Sequence, residues 1–87
     1  METQDQIVHT IHKGPKEEVR LSLRRYKDRG YLDIRVWFQP PKGGEYHPTT
    51  KGITLGLEFI PELKRGLERA DRESLEMARH SNLSSVK

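Results

Sequence analysis

The sequence predicts an α+β protein in which a four-stranded antiparallel meander is followed by one C-terminal helix (β-β-β-β-α), supported by association with further copies. Three observations carry this reading. Apolar residues recur at every second position in Val19 to Leu23, Leu32 to Phe38 and Ile53 to Leu57, and at three- and four-residue steps beyond them. Short polar or Pro/Gly-rich runs separate the alternating stretches. The chain is also lean, with 32% hydrophobic and 33% charged residues among 87 and no cysteine. Leu, Ile, Val and Phe number 20, just above the ~20% of residues below which disorder is the default. So small and polar a domain needs a disulfide, a metal or a second copy for support. Without cysteine the disulfide and the usual zinc cages are gone, which leaves oligomerisation.

Taken in order, residues 1–15 read as a flexible N-terminal segment, 16–79 as the folded and dimerising domain, and 80–87 as a flexible tail. Val19, Leu21 and Leu23 alternate with Arg20, Ser22 and Arg24, the period of a half-buried strand with one apolar and one basic face. Lys27-Asp28-Arg29-Gly30 has the chemistry of a hairpin turn, with Gly30 free to take φ > 0. A second strand runs from Tyr31 to about Gln39, with Leu32, Ile34, Val36 and Phe38 in one phase and Tyr31, Asp33, Arg35 and Trp37 in the other. Pro40-Pro41-Lys42-Gly43-Gly44 ends it. Glu45 to His47 reads as a short third strand, and Lys51 to Leu57, with Ile53, Leu55 and Leu57 in phase, as a fourth.

From about Glu58 the period becomes helical: Ile60, Leu63, Leu67, Ala70, Ser74 and Met77 share one face. Pro61 suits only a first turn, and Gly66 weakens the interior by about 1 kcal/mol. The apolar face either covers the sheet in a two-layer domain or bridges to a second copy, and both are expected in part.

The formal charge is only +3, but it is unevenly placed. Lys13 to Lys51 holds ten basic residues against five acidic ones, whereas Gly52 to Lys87 holds six of each. No run approaches the ~18 apolar residues of a membrane span, and METQDQ lacks the layout of a signal peptide. An intracellular protein with no membrane partner is therefore expected, cytoplasmic and nucleoid-associated in a bacterium or nuclear in a eukaryote.

Within the basic segment, cations alternate with rings: Arg20, Arg24, Tyr26, Lys27 and Arg29, then Tyr31, Arg35, Trp37 and Phe38. A groove for a single nucleic-acid strand needs cations for the phosphates and flat rings for splayed bases. The competing reading is a solvated strand face, on which Arg and Lys keep the edge soluble and aromatics merely favour β structure. Unbroken alternation places Trp37 on the basic face and Phe38 toward the core, and a bulge would exchange them.

Other constellations carry less. His9 and His12 lack an obvious third metal ligand, Gly43-Gly44 lacks the spacing of a phosphate loop, and Glu17-Glu18 point to opposite faces if extended. Nothing resembles a nucleophile triad, so neither an enzyme nor a cofactor is expected.

In this order the residues resemble the DNA-binding domain of the positive cofactor four family of transcriptional coactivators, in its compact bacterial form. The likeness runs from about Val19 to Leu67 through RLSLRRY (Arg20 to Tyr26), YLDIRVWF (Tyr31 to Phe38) and KGITL (Lys51 to Leu55), then a helix with Leu63-Lys64. It implies a homodimer that binds single-stranded or melted DNA, with contacts at Arg24, Tyr26, Lys27, Arg29, Arg35 and Lys51 and a stacking ring at Trp37 or Phe38. The chain departs from the family in an extra residue in the first turn, and in His47 and Thr50 where basic residues are expected. The acidic, Ser-rich arm of eukaryotic members is missing. The expected function is sequence-tolerant single-stranded DNA binding in transcription or in replication and repair, with the transcription machinery as a further partner. Single-stranded RNA binding, or a helix-mediated interaction module without nucleic acid, is the alternative.

Overall fold

The structure is a computed structural model and describes residues 4–81. Four strands, β1 (Gln4–Gly14), β2 (Glu17–Tyr26), β3 (Arg29–Phe38) and β4 (His47–Gly56), form one sheet in sequential order, each antiparallel to the last. A single 3-10 turn, Leu57–Phe59, leads into helix α1 (Ile60–Ser81). The expected meander followed by a helix is thus present, but its strands are allotted differently.

The N-terminal segment expected to be flexible is, in its described part, strand β1. Ile7, Val8, Thr10 and Ile11 supply the β-branched side chains that favour an extended backbone. Two irregularities hide this in the sequence. The register against β2 slips between Ile7 and His9 and again between His12 and Gly14, so Ile7 and Ile11 fall on opposite faces and no clean alternation survives. Of the expected flexible tail, His80 and Ser81 continue α1, and residues 82–87 lie outside the described part.

The β2–β3 hairpin is tighter than expected. Tyr26 pairs with Arg29, so the loop is Lys27-Asp28. The left-handed residue is Lys27, at φ 57°, and not Gly30. Gly30 lies in β3 opposite Arg25 and serves another end, because a Cβ there would collide with the side chain of Leu57. The missing side chain makes the notch into which the 3-10 turn settles.

The short third strand and the separate fourth strand merge. Residues 39–46 are a loop, and β4 is one strand with a wide bulge: Arg35 pairs with Gly52 but Trp37 with Pro48, so three residues of β4 stand against Val36. Thr49 fills the bulge. Its hydroxyl donates to the Val36 carbonyl at 2.8 Å and accepts from the Lys51 amide at 3.1 Å, while its carbonyl accepts from Arg35 Nη1 at 3.0 Å. Gly52 completes the arrangement, since a Cβ would sit 2.5 Å from the Ile34 carbonyl oxygen. Pro48 is tolerated because β4 is an edge strand.

Helix α1 starts at Ile60 with Pro61 in its first turn, as expected, but it does not lie over the sheet as the second layer of a two-layer domain. Only its first turns approach β4, where Leu55, Phe59, Leu63 and Gly66 border a groove. Farther along, Leu67, Leu75 and Met77 are 59%, 64% and 68% exposed. The sheet's apolar face is open as well, and Leu32 is the one buried hydrophobic residue among those described. The radius of gyration, 16.0 Å, exceeds the roughly 12 Å of a compact chain of this length. The deeply buried groups are instead Glu18, Ser22 and Asp33, on the opposite, polar face.

Candidate nucleic-acid interface

The hairpin register assembles this polar face. Arg24, Ser22, Arg20 and Glu18 of β2 stand opposite Tyr31, Asp33, Arg35 and Trp37 of β3, with Tyr26 against Arg29 at the turn. Since alternate residues of a strand share a face, these ten form one surface. Val19, Leu21, Leu23, Leu32, Ile34 and Val36 form the other. Pairing between β2 and β3 runs unbroken to Glu17 and Phe38, and the bulge lies on β4. Trp37 therefore stays with the cations, and Phe38 stands on the apolar face beside Glu17.

The cations fall into two groups. Arg35 grips Asp33 through two bonds, Nε to Oδ2 at 3.1 Å and Nη2 to Oδ1 at 2.9 Å, and Thr54 donates to the same Oδ1 at 2.8 Å. Burial pushes the Asp33 carboxyl up, but the Arg35 and Thr54 hydrogen bonds and the nearby Arg35 and Arg24 charges outweigh it and hold it below its usual range. Asp33 in turn raises Arg35. Arg20 is also engaged: Nε donates to Glu18 at 2.9 Å, and the guanidinium carbon lies 4.3 Å from the centre of the Trp37 ring and 5.3 Å from that of Tyr46. Arg24 shares Asp5 at 3.2 Å in a largely exposed pair.

Lys27, Arg29 and Lys51 form no ion pair with any described residue and are exposed. Lys27 Nζ rests 5.3 Å from the Tyr26 ring. The first group sets the surface and orients its rings, and the second offers exposed charge at the hairpin turn and the β4 bulge.

Between them the face is hollowed. A cleft of about 470 Å³ is bordered by Arg24, Asp33, Arg35, Trp37 and the Pro48–Thr50 edge of the bulge. A smaller hollow of about 230 Å³ lies among Arg24, Tyr26, Tyr31 and Thr54. Arg20, Arg24, Tyr26, Arg29, Arg35 and Trp37 are thus brought together, with Lys27 and Lys51 at the margins and Phe38 on the other side. His9 and His12 pair with Leu21 and Glu18 and so occupy opposite faces of β1, which separates them as joint ligands.

Tyr46 was not anticipated. It reads as part of a short strand, but it sits in the 39–46 loop and meets the sheet through Arg20. Its neighbours Gly43 and Gly44, at φ 93° and 96°, are what a loop ring folding back would require. Buried Glu18, set aside in the sequence as one of two adjacent carboxylates, anchors Arg20, which only the structure shows.

The chain has relatives of known fold. In two crystal forms of a PC4 homolog from Burkholderia pseudomallei, the matching chains share 29% and 26% identity with it, each at a TM-score of 0.71. The alignments cover 78% of this chain and 90% and 98% of theirs. A bacteriophage T5 homolog of the eukaryotic coactivator PC4, implicated in recombination-dependent DNA replication, matches over 92% of this chain and 86% of its own at 20% identity and a TM-score of 0.55, a likeness of fold. No curated protein sequence matches. The family model described as Transcriptional Coactivator p15 (PC4) matches residues 13–66, which span β2, β3, β4 and the start of α1. With the sheet order, the hairpin motifs and the helix in agreement with that match, the chain belongs to the PC4 family of transcriptional coactivators.

Proposed function

We propose that the protein is a homodimer that binds single-stranded or melted DNA across the polar face of its sheet, largely without regard to sequence, in support of transcription or of the handling of unpaired DNA. The observation that carries the reading is the division of the sheet. One face holds Arg20, Arg24, Arg29 and Arg35 among Tyr26, Tyr31 and Trp37, and the other is apolar. Cations neutralise phosphates, and exposed rings stack on bases that a duplex keeps hidden. Membership of the PC4 family supports the link to transcription. The uncovered apolar face and the exposed helix residues support the dimer, since so large an apolar surface on a soluble protomer marks an interaction site.

Fluorescence anisotropy of labelled single-stranded DNA, single-stranded RNA and duplex DNA of equal length, titrated over a range of salt, tests the reading. Single strands are expected to bind more tightly than duplex. Equal affinity for duplex would remove the stacking model. Absence of binding to every probe at low salt would favour a protein-interaction module. A preference for the ribose strand would move the function to RNA.

A further inference from the structure

The cleft over β2 and β3 holds more than cations and a ring. Ser22 lies at its floor, only 6% exposed, and its hydroxyl has no hydrogen-bond partner among the described residues. Its oxygen is open to the cleft, where it can donate to or accept from a ligand. Asp33, which pairs with it across the strands, is by contrast fully engaged. On another wall, the Trp37 indole N–H is buried without an acceptor. Two polar groups in one cleft thus await partners that the folded protomer does not supply.

A third feature points to the kind of partner. Asp5 of β1 reaches the same cleft beside Arg24, which takes its Oδ1 and leaves Oδ2 without a partner among the described residues. A carboxylate amid cations repels a phosphate, so its complement there is an N–H edge. Adenine, cytosine and thymine each set an acceptor beside their Watson–Crick donor. Guanine alone presents two adjacent donors, N1–H and N2–H, which a carboxylate accepts together. Its O6 and N7 are acceptors suited to an arginine or a hydroxyl. At about 470 Å³ the cleft has room for one base.

We propose that this cleft is a pocket for a single guanine base, held against Trp37 and read by Asp5, Arg24 and Ser22, an inference that rests on the single-strand binding proposed above. Most of the strand is then bound without reading, and one position per protomer carries a preference.

The test uses the full chain and 20-nucleotide oligothymidine carrying one central guanine, adenine, cytosine or hypoxanthine; an isolated guanine excludes quadruplexes. The guanine oligonucleotide is expected to bind roughly fivefold more tightly than the adenine or cytosine ones. Hypoxanthine, which lacks the 2-amino group, should lose most of that advantage. Asp5→Asn and Ser22→Ala, checked for folding by circular dichroism, should each bring the guanine-to-adenine ratio toward one whatever they do to affinity overall. The emission of Trp37, the one tryptophan in the chain, should change more on binding the guanine oligonucleotide than on binding oligothymidine.

Equal affinities for guanine and adenine, with oligothymidine still bound, would overturn the pocket and leave single-strand binding standing. A guanine preference that survives both substitutions would overturn the assignment to this cleft. Loss of binding to every oligonucleotide would remove both readings.

Discussion

Trp37 and Phe38 are neighbours on opposite faces of the sheet. Trp37 shares the polar face with Arg20, whereas Phe38 stands on the apolar one. Trp37→Ala should weaken single-stranded DNA binding by about 1–3 kcal/mol, whereas Phe38→Ala should leave binding by the folded protein unchanged; anisotropy titrations of the two variants decide it. Asp33 sets the acid limit of the same surface. Its carboxyl titrates below its ordinary value of 3.8 in the folded chain, so its stabilising contribution is complete above that pH and is lost as the pH falls through the folded value. Asp33→Asn should therefore cost about 1–3 kcal/mol at neutral pH and flatten the fall in stability below pH 3.8. Urea unfolding at a series of acid pH values measures both effects.

The elements differ in how openly the sequence declares them. β2 and β3 were legible because their register is unbroken over ten residues, so apolar and basic positions alternate without a slip. β1 was not, because slipped register scatters its β-branched residues over both faces. β4 was read as two strands because its bulge suspends the alternation between Pro48 and Gly52. The same reasoning applies to the candidate site: Arg24, Tyr26 and Trp37 follow from period two alone, Arg29 was read as part of the turn, and Glu18, Tyr46 and Ser22 matter through partners in other segments or through the lack of one. The β4 bulge is also a definite point of weakness. Gly52→Ala would press a Cβ against the Ile34 carbonyl and the Arg35 Cα, both backbone atoms. It should destabilise the protein by roughly 1–3 kcal/mol, visible as a lower urea midpoint with an unchanged slope.

For the whole molecule, the uncovered apolar surface makes association the central question. Leu67 is 59% exposed in the protomer, and on a true surface Leu67→Asp would change stability by no more than about 0.5 kcal/mol. If the helix joins two copies, the substitution should instead halve the mass seen by light scattering, and this is the expected result. The affinity of the parent protein for single strands should fall with salt at a logarithmic slope of about −3 if some four phosphates are neutralised per protomer. The notch at Gly30, where Leu57 settles between hairpin and helix, sets the order in which these parts can form. Every strand pairs with its sequence neighbour, so the sheet closes through short loops and should form quickly at a rate indifferent to concentration. The helix can find its direction once the hairpin exists to receive Leu57, and in the proposed dimer its apolar stripe is covered when two such chains meet. Refolding followed by stopped flow should accordingly show a fast unimolecular phase and a slower phase that accelerates with protein concentration.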